Sequence, residues 1–227
     1  MDRLSLLFRS SVGRKWLNGL TGLLLLFFIV EHLLGNLYLL RGADAFNSYV
    51  ALLAGAGDLL YVAEVLLALV FLVHACMGVS VFIDKKRARV QGYAMLRSAG
   101  SPSRQTISSR SMIVTGSLLL AFLVWHLLTF RFGPHYTTVL DGKEVRDLYS
   151  LVVETFAKPA YMISYEIIMI LLGFHLRHGF WSVFQTLGVN NPKYTKPIYT
   201  LGIMFAIVIA IGFLTIPPYI YFTGGAQ

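Results

Sequence analysis

The chain reads as an all-α integral membrane protein, and three observations predict this class. Hydrophobic residues make up 56% of its 227 positions and charged residues only 13%, about half the charged share of a soluble domain. The mean hydropathy is +0.68. The apolar residues gather into five continuous runs, each about 20 residues or longer, the length a helix needs to cross a bilayer. None alternates as a barrel strand would.

The first run extends from about Lys15 to Leu40. No short apolar core with a small-residue cleavage site precedes it, and it is too long for a signal peptide, so it reads as a retained span. The second extends from about Leu59 to Asp84 and stops at Lys85, Lys86, Arg87 and Arg89. The third follows the Ser/Arg-rich loop SAGSPSRQTISSR and covers about Ser111 to Phe132. The fourth starts at Pro159, a favourable first-turn residue, and continues to about Leu187. The fifth covers about Pro197 to Ile216, where Pro217 and Pro218 are expected to end it. Most Tyr and Trp fall near the ends of these runs, as a membrane interface favours. Between the third and fourth runs, DGKE in GPHYTTVLDGKEVRDLYSLVVETFAK predicts a turn between two short extended pieces, a small hairpin. The whole chain is read as one domain, its first four spans forming a bundle. No repeat period stands out.

Cys76 is the only cysteine and lies inside an apolar run. This excludes a disulfide framework, a Cys-bound zinc site and an iron–sulfur cluster held by this chain alone. The net charge of +8 does not indicate nucleic-acid binding, because the basic residues sit in loops between spans. They orient the protein instead. With a cytoplasmic N-terminus, the inner segments hold Arg3, Arg9, Arg14, Lys15, the basic residues from Lys85 to Arg110, and Arg177, Lys193 and Lys196. The outer segments hold Arg41, Arg131, Lys143, Arg146 and Lys158. The split is 14 to 5, a positive-inside pattern that places the N-terminus inside and the C-terminus outside.

Four of the five spans carry histidine: His32, His74, His126, and the pair His175 and His178. A lone intramembrane His is commonly a polar group hydrogen-bonded across helices. One on each of four successive helices points to a functional site. His135 lies in the outer connection and reads as solvated. At about 1.5 Å of rise per residue, His32 and His126 lie roughly 25 and 24 Å above the inner edge. His74 and His175 lie roughly 16 and 15 Å above it. Zinc would draw four ligands to one level, whereas two pairs at two levels fit two bis-histidine haems between facing helices. Gly78 and Gly179 follow His74 and His175 at i+4, on the same helix face, and Gly35 follows His32 at i+3. They are candidates for the edge of a flat macrocycle, with ordinary helix packing as the alternative. His178 competes with His175 as a ligand. Arg177 and His178 are alternatively candidates for haem propionates, and Arg177 equally for snorkelling to the headgroups.

With these residues in hand, the chain resembles the di-haem cytochrome b membrane anchor of succinate:quinone oxidoreductases and fumarate reductases, of the single-polypeptide, five-helix type. The resemblance spans nearly the whole length. It rests on SSVGRKWLNGLTG leading to EHLLGNL, then RGADAFNSY, VHACMGV, VWHLLTFR and FHLRHGFWSVFQTLG. It implies His32 and His126 as ligands of the outer haem iron and His74 and His175 as those of the inner, since His175-Gly179-Phe180-Trp181 matches the family's fourth-span pattern and counting from His178 does not. Some such fumarate reductases carry a Glu two residues before the fourth-span ligand. Here that position is Gly173, so their proton route does not transfer. Glu31, Glu64 and Glu166 remain as acidic residues in or near the spans.

What the resemblance implies is a subunit of a bacterial cytoplasmic-membrane complex holding two b haems. It would pass electrons from an iron–sulfur subunit to a quinone, with menaquinone favoured. FAD, iron–sulfur clusters and dicarboxylate chemistry belong to flavoprotein and iron–sulfur partners on the cytoplasmic face. This chain's lack of a dinucleotide fingerprint and of cluster cysteines agrees with that division. Quinone reduction also needs protons, and Glu31, Asp44 and Asp58 are candidate donors near the outer haem, each equally readable as an interfacial or loop carboxylate. The competing readings are the cytochrome b anchor of a formate dehydrogenase or hydrogenase, and a membrane proton-relay or transport protein without haem.

Overall fold

A computed structural model describes residues 10–88, 106–189 and 191–224. Arg3, Arg9, Arg89, Arg97 and Arg104 of the charge pattern, and most of the Ser/Arg-rich loop, lie outside the described residues.

Helix α1 (Ser11–Asn36) starts four residues before the apolar run because Ser10 caps it, its hydroxyl accepting from the Gly13 N–H at 2.9 Å. It tightens into a 3-10 turn, Leu37–Arg41, and breaks at Gly42. Helix α2 (Ala43–Ala54), which carries the RGADAFNSY motif, leads through Gly57 at φ 56° to the long α3 (Asp58–Arg87). Helix α4 (Ile107–His126) opens on a capping box: Thr106 accepts from the Ser109 N–H at 3.2 Å, and Ser109 accepts from the Thr106 N–H at 2.9 Å. Directly after His126 it widens into a π-helical turn, Leu127–Arg131.

The expected hairpin is present. Strands β1 (Thr137–Leu140) and β2 (Lys143–Arg146) pair antiparallel, Thr137 opposite Arg146 and Leu140 opposite Lys143. Asp141 and Gly142 turn the chain at φ 50° and 75°, the two positive values a tight hairpin turn needs. Asp147 then caps α5 (Leu148–Phe156), accepting from the Ser150 N–H at 3.1 Å. Pro159 opens α6 (Pro159–Thr186), and α7 (Pro192–Thr223) completes the described chain.

Five segments are long and apolar enough to cross a membrane: Ser11–Arg41, Asp58–Arg87, Ile107–Arg131, Pro159–Thr186 and Lys193–Thr223. The class is all-α and multi-pass. The last span differs from expectation at both ends. Asn191 caps it before Pro197, and it runs on through Pro217 and Pro218 to Thr223. A proline withholds one N–H and crowds a carbonyl, but Phe213, Ile216 and Ile220 on this stretch are buried against neighbouring helices. That burial keeps the segment helical through its prolines.

Helix α1 packs on α3 and α6, α4 runs along α6, and α7 covers the other side of α6. No residue of α3 is buried within the chain, which leaves its apolar surface for lipid. A buried core joins α2, α5 and α7 where α2, α5 and the hairpin lie at one end of the bundle, around Leu39, Phe46, Tyr149, Phe156, Ile216 and Ile220. Buried Asn47 ties that end together: its amide donates to Asp147 Oδ1 at 2.7 Å and its carbonyl accepts from the Tyr149 N–H at 3.0 Å. Arg131 joins the π-helical turn to α3 through a two-pronged ion pair with Glu64, at 2.9 and 3.0 Å. We call this the hairpin end, and the opposite end, where α1 and α4 begin, the N end.

Candidate functional site

The four helices α1, α3, α4 and α6 each turn one histidine inward, and the histidines meet in pairs. His32 on α1 faces His126 on α4 with ring centres 5.7 Å apart and planes crossed at 88°. His74 on α3 faces His175 on α6 at 6.4 Å and 70°. His74 lies beside Thr21 and Gly22, and His175 beside Thr115 and Gly116. These residues precede His32 and His126 by ten or eleven positions on the same helices. The two pairs are thus about 16 Å apart along the bundle, three helical turns. Among the described residues no three His, Cys, Asp or Glu side chains converge on one point.

The surroundings of the pairs differ. At the hairpin end, Phe28 stacks on His32 at 5.3 Å, and Phe213 of α7 lies 5.9 Å away. Phe122 and Phe130 flank His126 at 5.6 and 5.2 Å, and His126 Nδ1 lies 3.2 Å from the Tyr165 hydroxyl. At the N end the partners are hydroxyls: Thr21 Oγ1 at 3.3 Å from His74 Nδ1, and Thr115 Oγ1 at 3.1 Å from His175 Nδ1.

The residues present fit axially ligated haem. An iron held between two imidazole nitrogens at about 2 Å each requires ring centres about 6 Å apart, and both pairs meet that requirement. A Cβ added at Gly179 would meet no atom within 4 Å, and one at Gly78 would meet only Asn18 Oδ1 at 3.7 Å. Asn18 Oδ1 is itself buried without a hydrogen-bond partner among the described residues. Gly35 does not share this role. The Tyr49 hydroxyl packs directly against it, so it serves the contact between α1 and α2.

Among the described residues His178 makes no ring contact with another histidine; it lies near His175 on the same helix, and Lys85 and Arg177 are its charged neighbours. Arg177 donates to the Tyr199 hydroxyl at 2.6 Å and lies over that ring at 5.6 Å, which fastens it to α7. Glu31, Asp44 and Asp58 are exposed, and no hydrogen bond joins any of them to a histidine among the described residues. Glu64 is committed to Arg131. Glu166 keeps one carboxylate oxygen buried and unpartnered among the described residues. His135 is exposed. At Gly173 a Cβ would come 3.1 Å from the Ala210 Cβ. Helix α7 therefore leaves little room for a glutamate there, a physical reason for the departure from the fumarate reductase pattern.

Thr21, Thr115, Tyr165, Phe28 and Phe122 were not singled out from the sequence, yet a signal for four of them is there. TGLLLLFFIVEHLL (21–34) and TGSLLLAFLVWHLL (115–128) carry the same residue at ten of fourteen aligned positions. The chain holds an internal repeat after all. It escapes a search by period because the copies are separated by an unrelated span.

A five-span helical membrane protein with two stacked histidine pairs is the class that fold and site define. No family model matches the chain, and no solved structure matches it. It is similar to the succinate dehydrogenase cytochrome b558 subunit of Bacillus subtilis (strain 168), with 26% identity over 188 residues, which cover 82% of this chain and 84% of that one. The resemblance to cytochrome b anchors of succinate dehydrogenase therefore extends over most of the chain.

Proposed function

We propose that the chain is the membrane-anchor cytochrome b of a bacterial succinate:quinone oxidoreductase. The observation that carries this reading is the meeting of one histidine from each of four spans in two pairs, 5.7 and 6.4 Å between ring centres. His32 with His126 and His74 with His175 would each hold one b haem. When bound, the haems supply one-electron transfer between an iron–sulfur partner and a membrane quinone, menaquinone being favoured.

The chain's own residues do the rest. Histidine on both faces leaves no open coordination position, which suits electron transfer and not oxygen binding. Phe28, Phe122, Phe130 and Phe213 keep water from the hairpin-end pair and lower the local dielectric. The basic residues favour a cytoplasmic N end, where the flavoprotein and iron–sulfur partners, with their FAD and clusters, would dock. The His74–His175 pair would then be the inner one, on the side of the iron–sulfur partner. Arg177 and His178, close to that pair on α6, are suited to the propionates.

Purification with the partner subunits tests the reading. The expected results are a b-type band in the reduced-minus-oxidised spectrum, about two haems per chain, and succinate-dependent quinone reduction. A haem-free chain would overturn it in favour of a proton-relay or transport protein. Haem with formate- or hydrogen-dependent quinone reduction would favour the other anchor families.

A further inference from the structure

The repeated segment contains more than its histidine. Thr21 and Thr115 head the two copies, and both are nearly inaccessible, at 7% and 3% exposure. Each donates its single hydroxyl proton back along its own helix. Thr21 Oγ1 bonds the Leu17 carbonyl at 2.6 Å with the Asn18 carbonyl at 3.2 Å, and Thr115 Oγ1 bonds the Ser111 carbonyl at 3.0 Å with that of Met112 at 3.3 Å. With the proton so committed, each hydroxyl oxygen offers only lone pairs to the imidazole across the bundle. Nδ1 of His74 and of His175 must then carry the hydrogen, and Nε2 is left bare.

The next residue completes the arrangement. A Cβ at Gly22 would stand 3.3 Å from His74 Cε1, and one at Gly116 would stand 3.3 Å from His175 Cε1. Each ring therefore lies edge-on against a glycine with its Nδ1 on the preceding threonine. The same dipeptide makes the same two contacts twice, once from α1 and once from α4.

We propose that Thr21–Gly22 and Thr115–Gly116 are duplicated imidazole sockets. They position His74 and His175 and fix the tautomer whose Nε2 can bind iron. Each copy of the repeat thus gives a socket to the N-end pair and, three turns on, a ligand to the hairpin-end pair. The proposal rests on the bis-histidine reading given above. An acceptor on Nδ1–H also raises the donor strength of the imidazole, so both threonines hold the N-end haem at a lower potential than it would otherwise have.

The test uses the purified complex carrying Thr21→Val, Thr115→Val, the matching Thr→Ser variants, and Tyr165→Phe. It measures haem content and the midpoint potential of each haem. Both valine variants are expected to shift the same one of the two potentials upward, or to lose that one haem. Serine should restore wild-type values, and Tyr165→Phe should act on the other haem. Valine variants with two haems at unchanged potentials would overturn the proposal, as would serine variants that fail like valine. A wild-type complex without haem would instead overturn the underlying reading.

Discussion

The two histidine pairs are built in different ways, although α1 and α4 serve both. At the N end, hydroxyls and glycines contact the rings: Thr21, Thr115, Gly22 and Gly116. At the hairpin end, the contacts are aromatic, from Phe28, Phe122, Phe130, Tyr165 and Phe213. Hydroxyl partners on the facing helix hold one ring orientation and, on the proposal above, one tautomer. At the hairpin end only His126 has a polar partner among the described residues, the Tyr165 hydroxyl at 3.2 Å, and aromatic walls leave the orientation of His32 to packing. The first pair is therefore the more sensitive to single-atom changes, and the second to changes in volume.

The largest effect separates the pairs outright. His175→Ala should remove one haem of two and leave the other spectrally intact, and His126→Ala should remove the other. His178→Ala should retain both, because the ring that meets His74 is that of His175. Haem quantification with the reduced-minus-oxidised spectrum decides this. Loss of a haem in His178→Ala with retention in His175→Ala would reverse the ligand assignment.

Next comes steric intrusion. Gly116→Leu places a branched side chain where even a Cβ would stand 3.3 Å from His175 Cε1. Overpacking of this kind costs about 1–3 kcal/mol, and the ring can escape only by leaving its threonine. The expected outcome is loss of the N-end haem alone. Gly35→Ala instead meets the Tyr49 hydroxyl, which must move. It should lower thermal stability while both haems remain. Equal haem loss in the two variants would mean that the glycines matter only for general helix packing.

The fold class and the paired histidines were legible because lipid imposes continuous apolar runs and because charge in a span is costly enough to be conspicuous. The hairpin was legible because Asp141–Gly142 leaves few other turn conformations. The threonine sockets were not legible, since a Thr in an apolar run usually bonds its own helix, and both of these do so as well. Only the facing ring gives the hydroxyl its second role. The end of α7 was misjudged at Pro217 because burial of Ile216 and Ile220, a tertiary effect, outweighs a local preference. The commitment of Glu64 to Arg131 likewise joins residues 67 positions apart.

A smaller effect should be confined to the hairpin end. Burial raises the Asp147 carboxyl, but hydrogen bonds from the Ser150 hydroxyl and N–H and from the Asn47 amide outweigh it and hold its pKa below the usual value. A carboxylate lowered in the folded state stabilises above its unfolded pKa, and that stabilisation fades as pH falls through the lower folded value. Asp147→Ala should cost about 1 kcal/mol for the helix cap and more for the buried Asn47 amide left without its acceptor, and should flatten the acid dependence of proteolysis at the hairpin. Both haem spectra are expected to stay unchanged.

The smallest expected effect is at the ion pair that pins the turn after His126. Glu64 and Arg131 side chains are each 38% exposed, and exposed pairs contribute less than about 1 kcal/mol. Their bidentate geometry fixes the π-helical turn to α3, and this turn begins at the residue following a proposed ligand. Glu64→Gln keeps one hydrogen bond and removes the charge. It should lower the melting temperature slightly at low salt and less at high salt. Any change in haem potential should appear at the hairpin-end haem, the one that Tyr165→Phe affects. A shift at the haem sensitive to Thr21 and Thr115 would mean that the two sites are coupled through α4, and that the division between hydroxyl-set and aromatic-set pairs is too sharp.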